Sequence, residues 1–94
     1  MIYSIYILAS RKNGTLYIGM TSNLVKRIWE HKQDLVEGFS NKYKTHLLVY
    51  FENYSNVNDA IVREKRLKKW NRKWKIKLIE ENNQDWKDLY NQLI

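Results

Sequence analysis

A chain of 94 residues has room for one hydrophobic core, so residues 1–94 are read as one domain and a multi-domain enzyme is excluded. Hydrophobic residues make up 44% and aromatic residues 14%, enough apolar surface to fold and too much for a disordered polyelectrolyte. The net charge of +7 suits a polyanionic partner, nucleic acid before an anionic membrane surface, and the lack of cysteine excludes disulfides, thiolate nucleophiles and cysteine-based zinc sites.

Ile2 to Ala9 is rich in Ile and Tyr, with Ser4 as its one small polar residue, the pattern of a strand covered on both faces. No positive segment precedes it and no apolar run nears the ~20 residues of a membrane span, so neither signal peptide nor membrane anchor is expected and the protein is read as cytoplasmic. Ser10 to Gly14 ends in Asn-Gly, a strong hairpin signal, and Thr15 to Met20 resumes β-type residues; the first twenty residues predict a β-hairpin. Thr21, Ser22 and Asn23 are candidate N-caps for a helix from about Leu24 into the mid-thirties, with Gly38 marking its end. His46 to Tyr50, continuing into Phe51, predicts a third strand, and a second helix begins near Asn58 or Asp59. Trp70, Asn71 and Arg72 mark a break before a third helix ending near Glu81. Asn82 and Asn83 form a stop, and a short helix runs from Asp85 to the C-terminus.

Several polar residues fall where helical periodicity calls for apolar ones. Leu24, Ile28 and Leu35 share a stripe; His31 lies within it and Arg27 at its edge. In the second helix Glu64 points to the same side as Ala60 and Leu67. A carboxylate on an apolar face needs a cation, whether a basic side chain or a metal ion. Each residue also has an ordinary reading: a histidine bonded to a backbone carbonyl, a snorkelling arginine, an ion pair between Glu64 and Arg27 or a lysine. Together, on two helices of one small domain, they read as a site. Tyr6 and Tyr17 are opposite or diagonal neighbours on the hairpin, although the residues alone do not separate Tyr6 from Tyr3.

Ser4-Ile5-Tyr6, followed after ten residues by Tyr17-Ile18-Gly19, resembles the paired tripeptides of the GIY-YIG nuclease superfamily, with Ser4 in place of the first glycine. Gly19-Met20-Thr21-Ser22-Asn23-Leu24 through Lys26-Arg27 to His31 is similar to that family's helix with its catalytic arginine and nearby histidine. Glu64, preceding Leu67, Lys68, Lys69 and Trp70, is similar to its metal-binding glutamate region. The tail from Trp74 through Leu78-Ile79-Glu80 to Asn83, Trp86, Asp88 and Leu89 resembles the small stand-alone endonucleases of the superfamily, the URI-domain group.

The resemblance covers nearly the whole chain. It implies an α+β fold: a small central three-stranded antiparallel sheet, made of the N-terminal β-hairpin plus a third strand and flanked by helices. It also implies a metal-dependent endonuclease that hydrolyses DNA phosphodiester bonds with one Mg2+ or Mn2+ ion. Tyr17 would be the general base or water-orienting group, and Tyr6 would share a hydrogen bond with it or with the phosphate. Since a free phenol has a pKa of about 10, the base role needs a nearby cation or metal-bound water. Arg27 would grip phosphoryl oxygens through its planar fork, Glu64 would hold the ion, and His31 would assist by hydrogen bonding or proton transfer. The family's late asparagine corresponds to Asn83, Asn71 or neither. With no appended DNA-binding domain in these 94 residues, branched, nicked or single-stranded DNA is the expected substrate, or a protein partner supplies specificity.

From Arg63 to Lys77 nine cations stand in fifteen residues, interleaved with Trp70 and Trp74. The expected nucleic-acid contacts are Lys26, Lys32, Lys65, Lys68, Lys69 and Arg72, with Trp70 as a stacking surface and Trp74 in the core. The ordinary reading is a solvated helix face. Two other classes stand beside the nuclease: a non-catalytic nucleic-acid-binding module of the same fold, and a basic domain that meets an acidic protein or anionic lipid.

Overall fold

The computed structural model describes residues 1–94. Strand β1 (Tyr3–Ala9) lies between β2 (Leu16–Thr21) and β3 (Leu47–Tyr54), antiparallel to both. Its central place explains the unbroken apolar run: every residue from Ser4 to Ala9 is buried, because both faces of β1 are covered. The hairpin turn is wider than a two-residue Asn-Gly loop. Asn13 takes the left-handed conformation (φ 60°), the Gly14 N–H donates to Arg11 O at 2.9 Å, and Ser10 and Thr15 close the strand ends.

The two faces carry different cores. Ile5, Ile7, Ala9, Ile18, Val49 and Tyr50 pack with Ala60 and Leu67 of α3 (Val57–Lys69), Ile79 of α4 (Arg72–Asn82), and Trp86. On the other face Tyr6, Leu8 and Leu48 pack with Ile28 of α1 (Leu24–Lys32), joined by Tyr17, Leu24, Phe51 and the C-terminal Leu89, Tyr90 and Leu93. Leu48 pairs with Leu8 and Phe51 with Tyr6, so an extra residue, Val49, must intervene for both to share a face. That residue is a β-bulge between Ile7 and Leu8 of the partner strand. Asn23, Asn56 and Asn71 cap α1, α3 and α4 with their side-chain oxygens.

Several boundaries differ from the sequence expectation. Helix α1 stops at Lys32 instead of the mid-thirties, because Asp34 turns left-handed (φ 57°) and its carboxylate is held by Lys44 at 3.1 Å and His46 at 2.7 Å. Leu35 therefore leaves the apolar stripe and is exposed. Gly38 ends no helix; it precedes α2 (Phe39–Tyr43), a five-residue helix the sequence did not announce. Strand β3 extends to Tyr54, and α3 begins at Val57 because Asn56 rather than a later residue is the cap. The expected helix from Asp85 shrinks to a 3₁₀ turn at Leu89–Gln92. Asn83 prevents an earlier start: its amide donates to Val49 O (3.1 Å) and Lys87 O (2.8 Å) and accepts from the Lys87 N–H (2.9 Å), holding the intervening loop irregular. No helix is long and apolar enough to cross a membrane.

Candidate active site

Strand register builds the centre of the site. Tyr6 on β1 pairs with Gly19 on β2, and its ring occupies the space that a side chain at position 19 would need. A Cβ there would lie 2.9 Å from Tyr6 Cε1 and closer still to Cζ and the hydroxyl. Tyr17 pairs with Leu8, which makes it the diagonal neighbour of Tyr6 on the same face, with ring centroids 6.3 Å apart. Tyr3 packs instead with the core under α3 and α4, so the structure separates the two tyrosines that the sequence left equivalent.

Helix α1 supplies the next residues. His31, 2% exposed, meets the 1%-exposed Tyr6: Nε2 lies 2.9 Å from the phenol oxygen. The other ring nitrogen, Nδ1, is 2.8 Å from Ser40 Oγ, and Ser40 Oγ is 2.8 Å from Thr45 Oγ1. Arg27, one turn earlier, is half-exposed, with Nε 3.5 Å from Glu30. Glu64 on α3 is largely covered, and its nearest cation is Lys68 at 3.6 Å.

Electrostatics draws these groups into one set. Burial, and then the neighbouring Tyr17, raise the pKa of Tyr6 well above the usual phenol value; Arg27 pulls it down and Glu64 pushes it up. Burial, then the charge of Arg27, lower the pKa of His31 to about 4, so its imidazole is neutral near pH 7. Tyr6 is thus a protonated hydrogen-bonding group held by a neutral histidine.

No three His, Asp or Glu side chains converge anywhere in the chain. Glu64 offers a lone hard-oxygen donor, which fits an ion that keeps most of its waters and takes further oxygens from substrate, as Mg2+ does.

Ser4, at the place of the motif glycine, is buried and donates to Asn53 Oδ1 at 2.7 Å on the paired strand. Its hydroxyl is absorbed by β3. The Asn71 side-chain oxygen caps α4 by accepting from the Trp74 N–H, and both the amide NH2 and the oxygen of Asn83 are taken up by the backbone of β3 and the following loop.

The basic residues divide into two groups. Lys32, expected to contact nucleic acid, is tied down: it donates to the Asp88 carboxylate and to His46 O (2.8 Å) and lies over the Tyr90 ring. Arg72 donates to the carbonyls of Asn13 and Gly14, both at 2.6 Å, and buttresses the hairpin turn. Arg63 is bound to Glu52 at 2.6 Å, Lys68 pairs with Glu64, and Lys75 donates to Lys68 O. Lys26, Lys65, Arg66, Lys69, Lys73 and Lys77 are exposed side chains engaged in no ion pair or hydrogen bond. The two tryptophans exchange their expected places. Trp70 is half-buried beneath Arg63 (5.1 Å), and Trp74, expected in the core, is 55% exposed and meets Trp70 edge-on.

Sequence reasoning missed the residues of α2 and the turn after it. Ser40 and Thr45 complete the hydrogen-bond line from Tyr6. Phe39 stacks on Tyr17 (6.2 Å, 24°) and meets Tyr43 at 4.5 Å, both α2 aromatics being exposed. The one signal was a glycine followed by an aromatic-bearing polar stretch, Gly38 to Tyr43, which gives no periodicity to read.

A tyrosine pair on a hairpin, met by an arginine and a histidine from the next helix and a glutamate from a later one, is the plan of a GIY-YIG domain. The GIY-YIG catalytic domain family matches residues 2–77, and the chain belongs to that family. Among its relatives, the UPF0213 protein of Pediococcus pentosaceus is 34% identical, covering 82% of this chain and 80% of its own. That of Clostridium perfringens is 37% identical over 84% of each. The solution NMR structure of the UPF0213 protein BH0048 from Bacillus halodurans shares the fold with a TM-score of 0.56, over 94% of this chain and 93% of that one at 22% identity.

Proposed function

We propose that this protein is a metal-dependent DNA endonuclease of the cytoplasm. The observation that carries the reading is the meeting of Tyr6 with His31 at 2.9 Å and with the ring of Tyr17 at 6.3 Å, with Arg27 of α1 and Glu64 of α3 within electrostatic reach of the same hydroxyl. Hydrolysis of a phosphodiester needs an oriented water, stabilisation of the charge that grows on the phosphoryl oxygens, and a cation near the leaving oxygen. A single Mg2+ or Mn2+ at Glu64 would supply Lewis-acid polarisation of the phosphate and acidify a bound water. Arg27, half-exposed and lightly held by Glu30, presents its fork of donors to the non-bridging oxygens. Tyr17, the less buried of the two tyrosines, orients the attacking water and, as the phenolate that a bound metal cation would favour, takes its proton. Tyr6, kept protonated by its burial, donates to a phosphoryl oxygen, and neutral His31 holds it in place.

Six free cations, Lys26, Lys65, Arg66, Lys69, Lys73 and Lys77, supply sequence-independent phosphate contacts. The exposed rings of Phe39 and Tyr43 beside Tyr17 offer stacking to an unpaired base. This favours branched, nicked or single-stranded DNA over intact duplex, with a protein partner as the other source of specificity. Ser4, its hydroxyl satisfied by Asn53, no longer argues for a catalytically silent binding module.

The test is cleavage of supercoiled plasmid and of labelled branched and single-stranded DNA with Mg2+ or Mn2+, beside EDTA and the Glu64→Ala protein. Nicking that requires the metal and disappears in Glu64→Ala, with fold and DNA affinity retained, is the expected result. Binding without cleavage by the wild type, or equal cleavage by Glu64→Ala, would make the domain a binding module or misplace its metal.

A further inference from the structure

Four side chains on three elements and a turn form one line: Tyr6 hydroxyl, His31 ring, Ser40 hydroxyl, Thr45 hydroxyl, joined at 2.9, 2.8 and 2.8 Å. All four are buried, Thr45 completely. Each hydroxyl has one proton to place, and the neutral imidazole has one N–H and one lone pair. The direction of the whole line is therefore constrained by where its protons can go.

If the line runs inward, Tyr6 donates to Nε2, the Nδ1–H donates to Ser40, and Ser40 donates to Thr45. The Thr45 proton is then stranded, because Thr45 Oγ1 has no hydrogen-bond partner other than Ser40, and a buried unpaired donor is costly. If Thr45 and the Nδ1–H both point at Ser40, the Ser40 proton is stranded instead. When the line runs outward, Thr45 donates to Ser40, Ser40 donates to Nδ1, and the Nε2–H donates to the Tyr6 oxygen. Every inner proton is then used. The one left over belongs to Tyr6, which is itself buried and has no hydrogen-bond partner in the fold but His31. Unlike Thr45, Tyr6 lies beside Tyr17 and within the electrostatic reach of Arg27 and Glu64, at the end of the line where the nuclease reading puts the substrate phosphate.

We infer that Thr45 and Ser40 hold His31 as its Nε2–H tautomer, so that the imidazole donates to the Tyr6 oxygen and turns the Tyr6 proton toward the substrate phosphate. Ser40 is thus a positioning residue, acting through His31, and its catalytic effect rests on the nuclease reading above. An oxygen that accepts from His31 is a better donor through its own O–H, since hydrogen bonds in a chain polarise one another.

The tautomer is read directly from the ring nitrogens of 15N-labelled protein by long-range proton–nitrogen correlation at neutral pH, with His46, the other histidine of the chain, separated by a His46→Gln control. The expected spectrum shows His31 protonated at Nε2 and bare at Nδ1. In Ser40→Ala the two nitrogen signals should move toward each other as the Nδ1–H form gains. The cleavage rate at saturating DNA should fall by about 10–100-fold, the usual cost of losing a group that orients a histidine. Ser40→Thr keeps the hydroxyl and should retain the wild-type tautomer and most of the rate. A wild-type His31 carrying its proton on Nδ1 would overturn the inference whatever the variants do, as would a Ser40→Ala protein unchanged in both tautomer and rate. The two readings fail separately. An Nε2–H spectrum in a protein that cuts no nucleic acid upholds the tautomer and removes the nuclease, and an Nδ1–H spectrum in an active nuclease does the reverse.

Discussion

Position 19 tolerates no side chain because the aromatic ring of Tyr6 is already there. The ring lies against the backbone of the neighbouring strand with its hydroxyl committed to His31, so an added methyl group has nowhere to go unless the ring moves. Gly19→Ala should lower stability by about 1–3 kcal/mol, the typical cost of overpacking, and should abolish cleavage by displacing the Tyr6 hydroxyl. Thermal unfolding and near-ultraviolet circular dichroism read the first effect, and plasmid nicking the second. A variant of wild-type stability and activity would mean that the ring is not fixed against β2. Arg27, His31 and Glu64 stand out in the sequence because each sits on a helix with a regular period, where a polar residue on the apolar side is conspicuous. Tyr6 and Tyr17 are singled out by the resemblance of their tripeptides to the GIY-YIG motif, since the strand pattern alone leaves Tyr6 and Tyr3 equivalent. Ser40 and Thr45 stand out in neither way. Small hydroxyl residues in a polar stretch look like any turn, and their value lies in a distance to His31 that no spacing encodes.

At the scale of the element, the strands and the two long later helices were legible because their apolar patterns run long enough to show a period, although the sequence pattern sets the start of α3 late, at Asn58 or Asp59, whereas the side chain of Asn56 is the cap. Helix α1 ends early because a charge cluster formed in three dimensions, Asp34 with Lys44 and His46, outweighs the local pattern. The five residues of α2 are too few to show a helical period. The basic run gives the same lesson in electrostatics. Nine cations between Arg63 and Lys77 look uniform in sequence, yet Arg63, Lys68, Arg72 and Lys75 are occupied by partners within the fold, which leaves Lys65, Arg66, Lys69, Lys73 and Lys77 to meet a polyanion. Replacing Lys65, Lys69 and Lys73 together by Gln should therefore weaken DNA binding most at low salt. The slope of log affinity against log salt should become shallower by roughly 2–3, about one counterion for each lost phosphate contact, with thermal stability unchanged. Fluorescence anisotropy across a salt series measures this, and an unaltered slope would place the DNA elsewhere on the molecule.

At the scale of the whole molecule, the sheet is closed on the side of Tyr6 by α1 and by the C-terminal turn, with Lys32 bound to Asp88 as the tie between them. That closure buries His31 and makes the fold sensitive to acid. Burial, assisted by Arg27, takes the pKa of His31 from its ordinary 6.5 to about 4. Between those values the unfolded chain binds a proton that the folded chain refuses, so the unfolded state gains as pH falls and stability rises with pH through the same window. Lowering the pH from above 6.5 to about 4 should remove up to about 3 kcal/mol from this residue alone, at 1.36 kcal/mol per unit. A second loss overlaps and continues to lower pH. At Glu52 burial would raise the carboxyl pKa, but hydrogen bonds from Arg63 and Tyr50 outweigh it and hold it below the usual value. Asp34 is held low by His46 and Lys44. The stability these carboxylates add is present above the ordinary carboxylate range and is lost as pH falls through their folded pKa values. Urea unfolding from pH 8 to pH 4 separates the two contributions: His31→Gln should flatten the curve between pH 6.5 and 5 and leave the carboxylate fall below it. A variant whose stability declines as steeply as the wild type across that upper window would show that His31 accepts its proton within the fold.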